Sequence, residues 1–248
     1  MSQQASSSAT TQTDDGLKTS RRAVVAVETR QQLEAVRRLV CRVYIEEMGR
    51  DESVVDHNAK TLSDDSDERS SIVASFDDAG NALGTVRWQA ADRVSAFDYA
   101  FHGFDRLPDD LLLRSSLTTK LIIAPAHRRG TLATRLVAGI FASGYQHGCR
   151  VNIINCNPPL DRFFAKLGFV ELAREQPHPL YGPVSVMLLP VADRDWFRAI
   201  RSPFAGVIDQ LGHDDAAAAA TRAWFRARGR RYWDAPPRWT GRRPHVAE

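Results

Sequence analysis

The residues with the clearest chemistry lie in one run, Leu121-Ile122-Ile123-Ala124-Pro125-Ala126-His127-Arg128-Arg129-Gly130-Thr131-Leu132-Ala133-Thr134. An apolar strand passes through a basic, Gly-containing turn into the start of a helix. The first amides of a helix have no partner within it, and the aligned peptide dipoles put partial positive charge there. The small residues Gly130, Thr131, Ala133 and Thr134 let a ligand come close, and Arg128 and Arg129 add full charges. Such an end suits a phosphate or pyrophosphate. The same pattern also serves as a plain structural turn, and this run alone does not decide between the two.

Other reactive side chains carry weaker signals. Cys156 follows an apolar strand but has no histidine placed beside it by sequence, so a buried, inert thiol is the simpler reading. His102, His127, His147 and His178 lack metal-ligand spacing, and no metal is expected. Three cysteines are too few, and odd in number, for a disulfide framework. No run approaches the ~20 apolar residues of a membrane span. The polar start has no apolar signal region. A cytoplasmic protein is therefore expected. The charge of +3 is unevenly spread, with an acidic stretch from Asp51 to Glu68 and an arginine-rich tail from Arg222 to Arg243. The tail reads as a loose solvated end or a docking face for an anionic partner. Nucleic-acid recognition lacks a reading helix or stacking motif.

The elements that must position the basic turn follow from periodicity. Residues 1–20 are polar and aperiodic and read as disordered. Ala23 to Val27 reads as a strand, and Leu33, Val36, Leu39, Val40, Val43 and Tyr44 recur at helical spacing. Ser71 to Phe76 and Ala82 to Trp88 read as hairpin arms around Asp77-Asp78-Ala79-Gly80-Asn81. Residues 91–112 read as irregular with short helical pieces. A strand is expected from Leu113 to Ala124, and a helix from Gly130 to Gln146. Strand Val151–Asn155 and helix Leu160–Leu167 follow, the helix ended by Gly168. Phe169–Ala173 and Val184–Val191 read as the last strands, followed by helical segments from Asp193 and from Asp215 to Arg228.

Arg128-Arg129-Gly130-Thr131-Leu132-Ala133 resembles the Arg/Gln-x-x-Gly-x-Gly/Ala signature of Gcn5-related N-acetyltransferases (GNAT), with Thr131 in place of the usual glycine. Asn157 to Phe169, ending Lys166-Leu167-Gly168-Phe169, resembles the family's later segment. The resemblance covers roughly residues 23–191. It implies an α+β GNAT fold, with a central mixed, mostly antiparallel sheet flanked by helices. It implies an acyltransferase domain at 21–192 and a helical, arginine-rich extension at 193–248. The donor would be an acyl-CoA or acyl-phosphopantetheine. Its arm would lie along Leu121, Ile122 and Ile123, and its phosphates on Arg128, Arg129, Gly130, Thr131, Leu132, Ala133 and Thr134. Phe164 falls where many members carry a tyrosine that protonates the leaving thiolate, and a phenylalanine cannot do so.

Tyr44, Glu47 and Asp56 resemble the N-terminal pattern of N-acyl amino acid synthases and, more distantly, acyl-homoserine-lactone synthases. The arginine usual before the Val-Tyr pair is Val40 here, and of the usual Glu-x-Ser-Arg run only Lys120 keeps a positive charge. That branch implies a possible acyl carrier protein donor and an amine acceptor such as an amino acid, peptide or small molecule. Phe97, Tyr99, Phe101 and Phe104 then line an acyl tunnel or, alternatively, are ordinary core. Transfer to an amine needs a proton acceptor. Glu47, Asp56 and His57 are the candidates, each equally readable as a surface group of an acidic loop. Competing readings are a lactone-forming synthase and a GNAT-fold module that binds without catalysis. The C-terminal helices are a possible dimer element.

Overall fold

The computed structural model describes residues 23–50, 55–56, 58–62, 64–158 and 160–229. The expected disordered tail at 1–20, His57 and most of the arginine-rich C-terminal run lie outside them. The chain opens with β1 (Val25–Ala26) and α1 (Arg30–Cys41). Thr29 starts α1 with a reciprocal cap, its hydroxyl accepting from the Gln32 amide while the Gln32 side chain accepts from the Thr29 amide. A wide π-turn, Arg42–Glu47, extends the helix, with the Met48 amide reaching back to the Val43 carbonyl. Next come the small hairpin β2 (Val55–Asp56) and β3 (Thr61–Leu62), then the long arms β4 (Ser71–Phe76) and β5 (Ala82–Ala90). The Asp77 carboxylate accepts the Ala79 and Asn81 amides and closes their turn as its residue types require.

Two short helices, α2 (Ala96–Phe101) and α3 (Asp109–Leu112), lead to β6 (Ser115–Ile123). A crossover helix, α4 (Leu132–Gln146), joins β6 to β7 (Val151–Cys156). Then follow α5 (Asp161–Leu167), β8 (Val170–His178), β9 (Gly182–Leu189), α6 (Arg194–Ala199), α7 (Ala205–Leu211) and α8 (Asp215–Ala227). The main sheet has the order β1-β4-β5-β6-β7-β9-β8. Every neighbouring pair is antiparallel except β6 and β7.

That parallel pair is the feature that matters. Ser115 to Thr118 pair with Val151 to Ile154, and the ladder ends there. β6 continues to Ile123 bonded to β5 alone, while Asn155 and Cys156 continue bonded to β9. The two strands therefore part, leaving an opening in mid-sheet. At its mouth β6 carries a bulge. Thr119 faces Arg87 and Ile122 faces Thr85, so Lys120 and Leu121 together oppose Val86. Lys120 takes φ 53°, a left-handed conformation rare for a side-chain-bearing residue.

α4 covers one face of the sheet with Leu132, Leu136, Val137, Ile140 and Phe141. Gly84 permits this closeness, because a Cβ there would lie 2.9 Å from both Ile123 and Leu136 and 3.1 Å from Leu132. α1 packs on the opposite face, where Leu39, Val40, Ile72 and Ile122 share a core. Two expectations change. Leu113, read as the start of a strand, is 86% exposed, and β6 begins at Ser115. The hairpin β2–β3 and the helix α7 are additions, since neither has a repeating apolar pattern. The C-terminal helices share the cores of the sheet: Phe197 and Phe204 pack with α4 residues, and Trp196, Trp224 and Phe225 with β6, β7 and β9 residues.

Candidate active site

On the α4 side of the opening, the residues expected to hold a donor form one continuous path. Leu121 and Ile123 face α4, whereas Ile122 turns to the α1 side. A short helical turn at Pro125–His127 leads to Arg128, whose Nε donates to the Ile123 carbonyl at 3.0 Å. Arg129, Gly130 and Thr131 are exposed. Thr131 offers no side-chain cap to α4. The amides of Leu132, Ala133 and Thr134 therefore begin the helix with no acceptor within it. Gly130 has no unusual φ, and a Cβ there would meet only the His127 carbonyl at 3.7 Å, so the approach from outside is open. Phe164 is buried against Phe169 and Phe163, in a cluster that Leu121 joins from across the opening.

The expected bases are dispersed. Glu47 forms a two-pronged ion pair with Arg128, one prong at 2.6 Å. The Arg128 hydrogen bond holds the Glu47 carboxyl below its usual range, although the pair is solvent-exposed. Two of the sequence candidates, one assigned to proton transfer and one to phosphate, thus neutralise each other. Asp56 spans the β2–β3 turn, accepting the Asn58 and Ala59 amides at 2.9 Å each. Asp56 is solvent-exposed on the hairpin.

The opposite face holds groups that sequence spacing did not single out. Val86 and Trp88 pack under α4, so the alternating side chain of Arg87 projects the other way. Arg87 Nη1 lies 2.7 Å from Asp64 and 2.9 Å from Asp67, and its Nε donates to Thr119 Oγ1 at 3.0 Å. The bulge delivers Lys120 Nζ to the same pair, 2.5 Å from Asp64 and 3.7 Å from Asp67. Arg37 of α1 meets Asp67 at 3.3 Å. Burial pushes the Asp64 carboxyl up, but the Arg87 and Lys120 charges outweigh it and hold the group at about 2. Three cations thus surround two carboxylates beside the opening. The resemblance marks Lys120, and the acidic stretch holds the carboxylates, but their meeting is hidden from sequence because the partners come from α1, β5 and β6.

An aromatic wall stands elsewhere on this side of the molecule. Asn155, the first β7 residue past the ladder, faces the same side, since Ile154 and Cys156 pack towards α4. Phe97 and Phe101 stack at 5.5 Å and meet His178 edge-on at 5.5 and 4.8 Å. His178 stacks on Tyr181 at 4.3 Å, and the Arg50 guanidinium lies over Tyr181 at 4.4 Å and Tyr44 at 4.6 Å. The insertion aromatics therefore divide. Phe104 is fully buried core with Tyr99 stacked on it, while Phe97, 49% exposed, and Phe101 border the wall.

No family model matches the chain, and no curated protein matches it. Solved structures do. FeeM, an N-acyl amino acid synthase from uncultured soil microbes, aligns over 75% of this chain and 99% of its own at 16% identity, TM-score 0.54. A CoA-dependent acyl-homoserine lactone synthase, BjaI, solved with SAM and isopentyl-CoA, aligns over 81% and 99% at 16% identity, TM-score 0.58. TofI, solved in a ternary complex with an inhibitor and MTA, aligns over 78% and 96% at 17% identity, TM-score 0.53. At such identities the likeness establishes the fold, which is the GNAT fold expected from the two motifs.

Proposed function

We propose that the chain is an N-acyltransferase that moves an acyl group from an acyl-CoA or acyl-carrier-protein thioester to a primary amine of an amino acid, peptide or small molecule. The observation that carries this reading is the parting of β6 and β7 beside an uncapped α4 N-terminus, with a charged cluster on the other face. A pantetheine arm has unpaired β6 edge to bond along, and its phosphates have the amides of Leu132, Ala133 and Thr134. The acceptor enters from the Arg87 side. Its nitrogen lone pair attacks the thioester carbon, and a β6 amide facing the opening takes the charge that develops on oxygen. The carbon–sulfur bond then breaks, the amide product forms, and the amine gives up one proton. The thiolate takes up one proton to become a free thiol. With phenylalanine at position 164, that side chain cannot protonate the thiolate. A thiol with an ordinary pKa near 8.5 leaves tolerably as its anion.

Carrier-protein delivery is the finer part of the proposal. Arg129 is exposed at the mouth, and acidic partners dock on such charge. A module that binds thioesters without catalysis is the second reading, favoured by the missing phenol at Phe164. Intact mass spectrometry separates these readings. Acetyl-CoA, a long-chain acyl-CoA and a long-chain acyl carrier protein are each offered with pooled amines. Acylated amine is the expected product. Use of the carrier protein or long-chain donor supports the synthase-like branch, and use of acetyl-CoA alone returns the chain to ordinary acetyltransferases. Donor binding without turnover overturns the enzyme reading.

A further inference from the structure

We propose that His102 is the proton acceptor of this acyl transfer, receiving the proton of the attacking amine at Nε2; the inference rests on the acyltransferase reading. His102 ends α2 and is 2% exposed. Its Nδ1 lies 2.8 Å from the Asp98 carbonyl, which can only accept, so Nδ1 carries the hydrogen. A neutral ring then keeps its lone pair on Nε2. That atom is buried and has no hydrogen-bond partner. The Asn155 side chain neighbours the ring and favours its protonated form, although no well-formed hydrogen bond joins them. Asn155 is the residue at which β7 leaves β6, so the unused lone pair points at the lip of the opening. For the acceptor nitrogen to reach Nε2, the Asn155 side chain must give way to it.

The surroundings keep the ring a base. Burial pushes the His102 pKa down, opposed by the Asp98 carbonyl, by the Asp98 carboxylate 3.9 Å from Nδ1, and by the Asn155 side chain. The other titratable group facing it is His178 of β8, with Arg50 beyond Tyr181. His178 is held differently: its Nδ1 accepts the Leu180 amide at 3.1 Å, so its neutral form presents Nε2–H as a donor. Burial lowers its pKa as well. The two histidines are thus fixed in opposite tautomers, one to accept and one to donate. Phe101 separates their rings, 5.1 Å from His102 and 4.8 Å from His178.

The test is the pH profile of kcat/KM for acyl transfer by the full chain, in wild type, H102Q and D98N, alongside donor binding by calorimetry. Wild type is expected to lose rate as pH falls through a limb below 6.5, the ordinary histidine value. H102Q should lose the limb and ~100-fold in rate while binding the donor normally. D98N removes the charge that favours the protonated ring, so the limb moves to lower pH with the plateau unchanged. A limb that stays in H102Q, or fails to move in D98N, overturns the assignment of His102. Absence of transfer by wild type with every donor instead overturns the acyltransferase reading, and this proposal with it. Should H102Q fold poorly, the D98N shift still decides.

Discussion

At the scale of single residues, the charged cluster beside the opening was hidden from sequence for a physical reason. Asp64 and Asp67 read as members of a solvated acidic run, and nothing local indicates that Arg37, Arg87 and Lys120 converge on them. The basic turn was legible because its signal is local: helix-end amides and arginines adjoin in the chain. The Glu47–Arg128 pair was not, since its partners are 81 residues apart. Asp64 offers a test by protonation. Its pKa falls from 3.8 to about 2 on folding, so it stabilises the fold above 3.8 and loses that contribution as pH falls towards 2. D64N should remove this acid sensitivity, giving denaturant midpoints that change less than wild type between those values. An equal slope in both proteins would contradict the cluster. Lys120 offers a second test. K120A and K120G both remove the ammonium, but only glycine relaxes the φ of 53°. Urea unfolding should find K120G more stable than K120A by about 1 kcal/mol.

At the scale of elements, long periodic segments were predictable and short ones were not. α4 and the β4–β5 hairpin stand as read because their apolar rows repeat over several turns or pleats. The two-residue strands β2 and β3 have no period to detect, and β8 runs on to His178 past the apolar stretch that announced it. The decisive element, the parting of β6 from β7, is a property of two strands and of no single segment. Beside it α4 sits close to β5 at Gly84. An added methyl must displace Ile123 of β6 and Leu132 and Leu136 of α4 together, and all three are packed between the sheet and that helix. G84A should cost about 1–3 kcal/mol in urea unfolding. Because Ile123 and Leu132 flank the basic turn, donor affinity measured by calorimetry should weaken in the same variant. Unchanged stability and affinity would mean that α4 floats free of β5.

At the scale of the whole molecule, the sequence divided the chain at residue 192, where the resemblance ends and helices begin. The folded cores cross that boundary. Trp196 donates its indole N–H to the Gly168 carbonyl at 2.8 Å, and Trp224 does the same to Arg106. Asp214 caps α8 and binds Arg150, next to the first β7 residue, at 2.8 Å. The key tie is Asp193, fully buried, which pairs through both oxygens with Arg222 of α8. Removing Arg222 leaves a carboxylate that cannot reach water, and loss of one partner of a buried pair costs about 3 kcal/mol or more. Arg222 is 30% exposed and Asp193 also accepts the Trp196 amide, which places R222A at the low end of that range. The double variant D193N/R222A should recover part of the loss, because it removes the stranded charge as well as its partner. Additive losses in a urea double-mutant cycle would show that the two residues act apart. Coupling would establish that α8 is anchored through Asp193 to the end of the sheet where β6 and β7 are still paired, away from the opening, and that the helices after residue 192 share the core of the domain they follow.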